Sequence, residues 1–515
     1  MVWRARIPGR LVALLLFCAL SLEVLALPAQ AEELQLLLLA TAGLRGLIYP
    51  LNYERGEPSP GGLARVATEI RRRQAGGQLL LLDGGDALGE EGSAVLRAMK
   101  ELGYAALAVG DEELDRSSEN LEELRSAASF PFLAANVVNR RGEPRFQPYL
   151  IQDYGSFQVG VLGLLTPQAE NWLAPGRLLG LRILDPVETA RSYVPLLREK
   201  GADVVVVLAH TAWPGEEPLP PPRREERLWL RQEEGFLARL ATEVAGIEVV
   251  VVVGHRARGT PRPDCGERGE PGEEKGVEVP AGEGPLLLRP GAEGSALGEV
   301  RLTLRRDGAE GPWRVVAREA HLVPLAGVEP DPAVLAWGQS EHERRQAFYQ
   351  APAGALEGPL PPEGLARTQA FLNLLNQVQL WVSGADLSVA SLPAGSVPLP
   401  VGPLTRQDVY RFYPYPDLLY KVIVTGAQLR AALERSALCL APYAGQKRAE
   451  ELIDPAVSPA QWDVYAGLEY TLDLTRPPGQ RVVSLKYKGQ EVDPNEILTL
   501  ALSGWRARGG DGYGM

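Results

Sequence analysis

Beyond its first thirty residues the chain repeats one pattern: short, continuous apolar runs that end in glycine or a polar side chain, spaced by amphipathic stretches. "LQLLLLAT" (34–41), "QLLLLDGGD" (78–86), "AALAVGDEE" (105–113), "FLAANVV" (132–138), "FQVGVLGLLTP" (157–167), "ADVVVVLAHT" (202–211) and "IEVVVVVGHRARG" (247–259) all read as strands. Runs without polar alternation suit strands buried on both faces, and "GGLARVATEIRRR" (61–73) has the spacing of a helix covering such a sheet. The pattern from Leu34 to about Leu304 is therefore α/β. A polar, Gly- and Pro-rich stretch at 256–284 reads as an exposed loop. A second α/β unit follows from about Leu365. Its elements are a helix at "ARTQAFLNLLNQVQLWV", strands at "ADLSVAS" and "LLYKVIVTG", a helix at "AQLRAALERSAL", and closing strands at "LEYTLDL", "VVSLKYKG" and "ILTLALSG".

This gives the expected organisation: a leader at 1–31, a first domain at 32–321, a connection at 322–364 and a second domain at 365–515. The leader has basic residues, an apolar core over 11–27 broken by Glu23, and Ala29 and Ala31 placed as in an A-x-A cleavage site. It predicts export to a periplasmic or extracellular space, with no stable membrane span once it is cleaved. Cys18 leaves with it, so Cys265 and Cys439 remain; an exported protein permits a disulfide between them, and two isolated cysteines do not establish one. The 53 basic and 65 acidic residues leave a net charge of −12, which argues against a nucleic-acid polymer as partner and leaves room for a small phosphorylated ligand in a local pocket.

Chemistry concentrates at the strand ends. Asp86, Asp111, His210 and His255 each follow an apolar run, so one sheet edge can gather them, and two of the chain's four histidines are spent this way. Two carboxylates and two imidazoles suit a divalent transition ion such as zinc or manganese. From spacing alone, polar caps on strand ends account for them equally well. The closing turn "GGDGY" (509–513) follows Trp505, and glycine lets backbone approach a ligand closely. A surface hairpin is the other reading.

The order "GGLARVATEI", "LLLLDGGD", "AVGDEELD", "FPFLAANV", "VGVLGLLTP", "GADVVVVLAH", "GIEVVVVVGH", and later "FYPYPDLLYKVIVTGAQLRAALE" and "GGDGY", resembles the 5′-nucleotidase / UDP-sugar hydrolase family over nearly the whole mature chain. The resemblance implies a four-layer calcineurin-like metallophosphoesterase sandwich followed by a smaller α/β substrate-binding domain. It also implies phosphoester hydrolysis on nucleotides or related phosphates. In the second domain it implies a base held between two aromatic rings, for which Trp462 and Trp505 are the candidates, with Asp511 beside them.

The family's two-metal centre is incomplete here. Gly43 and Arg45 stand where the family has D-x-H, and Ala257 replaces the second histidine of G-H-x-H. One metal site therefore keeps only Asp86, while the other keeps Asp86, Asp111, His210 and His255, which implies one divalent ion rather than two. Glu112 takes the place of the catalytic histidine, and Arg45 is its expected partner, either neutralising it or binding phosphate. Ser391 to Ser396 replace a family stretch that supplies an arginine, and Asp417 replaces an asparagine. The expectation is a slow one-metal hydrolase; the alternative is an inactive relative that binds a nucleotide-like ligand or a protein.

Overall fold

The structure, a computed structural model, describes residues 31–515 apart from 172, 174–175, 212, 214–234, 254–275, 279–283, 309–310, 359–364, 392–396, 414–416, 446–451, 453–460, 508, 510–512 and 514–515. Residues 1–30 of the leader, His255, Cys265 and Asp511 therefore lie outside the described residues.

Two six-stranded sheets form the first domain. The first runs Arg314–Pro324, Ala296–Asp307, Ala31–Thr41, Gln78–Asp83, Ala106–Ala108 and Phe132–Leu133; its last four strands are parallel. The second runs Val277–Glu278, Leu286–Leu288, Val249–Val253, Val204–His210, Gln158–Leu165 and Tyr149–Asp153, with a parallel centre. Alternation along each strand decides what faces what. Leu36, Leu38 and Ala40 point inward with Leu80 and Leu82, and meet Val204, Val206, Leu208, Val249 and Val251 of the other sheet in one buried core.

On the outer side of the first sheet, Leu39 and Leu81 pack under helices Leu63–Arg73 and Ser93–Leu102. Helices Pro186–Glu199 and Phe236–Glu243 cover the second sheet's outer side through Val205, Val207 and Val250. The result is helix, sheet, sheet, helix: the four layers expected.

The stretch 322–364 holds regular structure. The strand Arg314–Pro324 runs on into it, and the helix Pro332–Gln350 packs on the helices Leu63–Arg73 and Ser93–Leu102. Asp331 caps that helix by accepting from the N–H groups of Ala333 and Val334, and Pro332 fixes its first turn. The strand Pro352–Leu356 then pairs with Gly402–Thr405.

The second domain is a four-stranded sheet ordered Leu419–Thr425, Ile497–Ser503, Leu387–Ala390 and Val464–Ala466. Helix Gly426–Ser436 covers one face through Leu429 and Leu433, and helix Leu365–Ser383 lies across the other. Among the described residues no helix is long and apolar enough to cross a membrane.

Candidate functional site

Parallel strands carry their loops to one end, so the carboxyl ends of both sheets meet over a single spot. Thr41 and Asp83 are register partners at the ends of their strands, and His210 stands beside Val253 at the end of its own. Beyond Thr41 the chain is laced to the turn after Asp83. Gly43, Arg45 and Gly46 donate their N–H groups to the carbonyls of Gly85, Asp86 and Ala87, each at 2.9 Å. Asp83 braces the turn from below: its carboxylate accepts from Gly85 N (2.8 Å) and from the Thr41 hydroxyl (2.6 Å). Burial pushes the Asp83 carboxyl up to about 8. Arg45 and Asp86 both adopt left-handed backbone, φ 51° and 54°, a conformation that costs a non-glycine residue energy and gathers at working sites.

Asp86, Asp111 and His210 each present one ligand-type atom, and the three atoms lie within 4.8 Å of one another, all buried. His210 Nε2 is 2.9 Å from Asp111 Oδ1 and 3.7 Å from Asp86 Oδ2. Burial alone would lower the imidazole pKa, but the carboxylates of Asp86 and Asp111 outweigh it and raise it to about 9. Burial, and then the charge of Asp111, raise Asp86. A histidine nitrogen and two carboxylate oxygens in a space this small form a borderline donor set for zinc or manganese.

The crowding needs a glycine. A Cβ on Gly110 would stand 2.1 Å from Asp86 Oδ1 and 2.9 Å from His210 Cε1. His255 follows Val253 by two residues and lies outside the described residues, so the structure brings together three of the four expected ligands.

Glu113 organises the site without entering it. Its buried carboxylate accepts from the N–H groups of Asp86 (2.9 Å), Ala87 (3.0 Å), Gly110 (3.0 Å) and Leu88 (3.4 Å), tying both acidic loops to one side chain. The bond from Gly110 is the reach-back half of a capping box on the short helix Asp111–Leu114, so the pattern G-D-E-E was the available sequence signal. The Glu113→Gln variant keeps the shape but turns half of the acceptor into a donor facing N–H groups. It is expected to lose ~1–3 kcal/mol of stability, the cost of leaving a buried polar group unsatisfied, as read by chemical denaturation.

Arg45 and Glu112 meet as the sequence leads one to expect. Arg45 Nε is 3.2 Å from Glu112 Oε1, and a second guanidinium nitrogen is 3.9 Å from Asp86 Oδ2. Both side chains keep part of their surface exposed, at 28% and 21%, so the pair forms the rim of the buried trio. The carboxylates around Arg45 raise its pKa despite burial, and it stays charged. The Glu112 N–H donates to Asp86 Oδ1 (3.1 Å), which anchors the short helix on the same carboxylate.

In the second domain Trp462 lies two residues before strand Val464–Ala466, and Trp505 two residues after Ile497–Ser503. The strand Leu387–Ala390 separates these two, antiparallel to the first and parallel to the second, so both tryptophans sit at the same end of the sheet. Two inter-strand spacings put their backbones roughly 10 Å apart. Trp462 is half-buried against Leu372, Ala390 and Val464. The Trp505 N–H donates to Asp417 Oδ2 (2.8 Å).

Their chain neighbours form a buried pair that sequence reading missed. Arg506 bonds Asp463 at 2.8 Å, stacks over Tyr513 at 4.1 Å, and lines a polar pocket with Gln379, Ser391 and Ser503. Nothing in a lone W-D or W-R dipeptide marks such a pair. Cys439 is buried, with its Sγ 3.3 Å from the Gln461 carbonyl.

Facing sheets with helices outside, and an acid–imidazole group where their strands end, are the architecture of a calcineurin-like metallophosphoesterase domain, here joined to a second α/β domain. The comparisons narrow the class. The sequence model of the 5′-nucleotidase C-terminal domain matches residues 356–515. A Yersinia enterocolitica 2′,3′-cyclic-nucleotide 2′-phosphodiesterase/3′-nucleotidase is 25% identical over 94% of this chain and 82% of its own length. The trifunctional nucleotide phosphoesterase YfkN of Bacillus subtilis is 24% identical; 96% of this chain aligns, spanning only 37% of that protein. Among solved structures, a 5′-nucleotidase precursor from Thermus thermophilus superposes with a TM-score of 0.58 at 26% identity, covering 93% of this chain and 91% of that one. Residues 356–515 thus match the 5′-nucleotidase C-terminal domain, and over nearly its whole length the chain is similar to nucleotide phosphoesterases.

Proposed function

We propose that the protein is an exported phosphoester hydrolase acting on nucleotides or related phosphates, slowly, with one divalent ion. The observation that carries this reading is the buried trio of Asp86, Asp111 and His210. These residues, with His255 as fourth ligand on the strength of its place in the sequence, would hold the ion. When bound, such an ion polarises a phosphoryl oxygen and makes water a usable nucleophile near neutral pH.

The chain's own groups account for the rest. Arg45 stands where the second ion's ligands are missing, and its guanidinium has donors left for a phosphate oxygen after meeting Glu112. Its charge offsets the repulsion that Glu112 would exert on an anionic substrate. Left-handed backbone at Arg45 and Asp86 and the bonds from Gly43, Arg45 and Gly46 fix both loops before substrate arrives. With a guanidinium for one ion, and a carboxylate where the family has a histidine, charge stabilisation is weaker, which is why slow turnover is proposed.

In the second domain Trp462 and Trp505 form the proposed stacking slot, with Asp511 contributing a polar contact. Adenosine or AMP is expected to quench tryptophan fluorescence with or without metal, and alanine at either tryptophan to weaken binding by ~1–3 kcal/mol. Absence of quenching at millimolar ligand would remove the slot. Binding without phosphate release, in protein loaded with zinc or manganese, would instead make the chain a binding protein.

A further inference from the structure

The helix Leu365–Ser383 carries large apolar side chains on both sides, its outer side also holding the exposed, uncharged Asn373 and Gln377. Phe371, Leu372 and Asn376 turn inward to the sheet, while Leu374, Val378, Trp381 and Val382 turn outward with 40%, 49%, 85% and 60% of their surface exposed. Over these 19 residues the one ionisable side chain is Arg367. A solvent-facing helix normally carries charge on that side. The apolar surface continues onto the edge strand Leu419–Thr425. Lys421 Nζ reaches the carbonyl of Gly384 (2.8 Å), just past the helix end, and Ile423 beside it is 73% exposed. Ile497, paired to Thr425 on the next strand, is 70% exposed.

We propose that this face is where two copies of the chain meet, in a twofold interface centred on Trp381. Three features select a second copy. The outward apolar positions 374, 378, 381 and 382 follow i, i+4, i+7, i+8 spacing, the stripe that packs into the matching stripe of another helix, and a twofold axis presents each stripe to its own equivalent. Charge selects it too. Two chains of net charge −12 repel wherever carboxylates face each other, and this helix offers none.

Size is the third feature. A helix of this length is ~28 Å long. With the edge strand beside it, the strip is on the order of the ~800 Å² that each partner of a standard interface buries. A tryptophan at the centre of such a patch is the residue type that most often carries the binding energy. This inference is independent of the hydrolase reading.

The test is sedimentation of the purified full chain over a wide concentration range, beside the pair of substitutions Trp381→Glu and Val378→Glu. The wild-type chain is expected at the mass of two copies. The variant is expected at the mass of one, with its dissociation constant raised at least ~30-fold, the loss of one hot-spot side chain. Trp381 is largely and Val378 half exposed, so the variant should keep its circular dichroism and melting temperature; Trp381→Ala is the milder control, with an intermediate constant. A single-chain mass for the wild type at every concentration overturns the proposal, whether the face then stays bare or takes up the apolar residues 11–27. So does a dimer that survives both substitutions in a folded protein.

Discussion

Replacing His210 by alanine is expected to remove the divalent ion and phosphoester turnover together. His210 is fully buried and supplies the trio's one nitrogen donor, 2.9 Å from Asp111 and 3.7 Å from Asp86. Loss of a supporting contact around a metal ligand already weakens binding ~10–100-fold, so loss of the ligand itself should cost at least ~100-fold. The imidazole also holds two buried carboxylates together, and without it their repulsion is less well compensated. Asp111→Asn provides the shape-preserving comparison: it should weaken the ion while leaving the strand Val204–His210 packed. Elemental analysis and phosphate release measure the effect, with melting temperature to separate it from misfolding. A folded His210→Ala protein that retains its ion would show that the trio is not the metal site.

The second large effect is expected at Gly110, where one methyl group should damage both stability and site. Its backbone, φ −95° and ψ −175°, is open to any residue, so conformational strain is not the reason. Space is. The added Cβ would lie 2.1 Å from Asp86 Oδ1 and 2.9 Å from His210 Cε1. Something must move, and the atoms that would move are ligand-bearing. Overpacking of this kind costs ~1–3 kcal/mol, and displacement of Asp86 should empty the ion site as well. Gly43 provides the contrast: nothing lies within 4 Å of a Cβ there, and only its left-handed φ of 55° resists substitution. Gly43→Ala should therefore cost ~1 kcal/mol and leave the ion bound. Calorimetry and metal content of the two variants check both statements.

Much of the first domain was legible because a strand buried on both faces leaves an unbroken apolar run. "ADVVVVLAHT" became Val204–His210, and its terminal histidine stands at the site. The same logic blurred where the run was short. "AALAVGDEE" reads as one strand, yet Ala106–Ala108 is all that pairs, because Gly110 breaks the run and Asp111 begins a helical turn. "FLAANVV" likewise divides into Phe132–Leu133 and Val137–Asn139, which join different sheets.

Gly43 and Arg45 stood out against the family's pattern, whereas the reach of the Arg45 guanidinium to both Glu112 and Asp86 depends on three backbone bonds between loops forty residues apart. Glu113 was overlooked because its work is done on backbone N–H groups, which leave no mark on side-chain spacing. Arg506 and Asp463 were hidden for a related reason: their contact is across the sheet.

In the proposed mechanism one metal site survives and a guanidinium stands near the place of the other. Metal content of the purified wild-type chain decides between one ion and two, by elemental analysis after equilibration with zinc or manganese and removal of free ion. One tightly held ion per chain is expected, lost on His210→Ala. Two tightly held ions per chain would contradict the account.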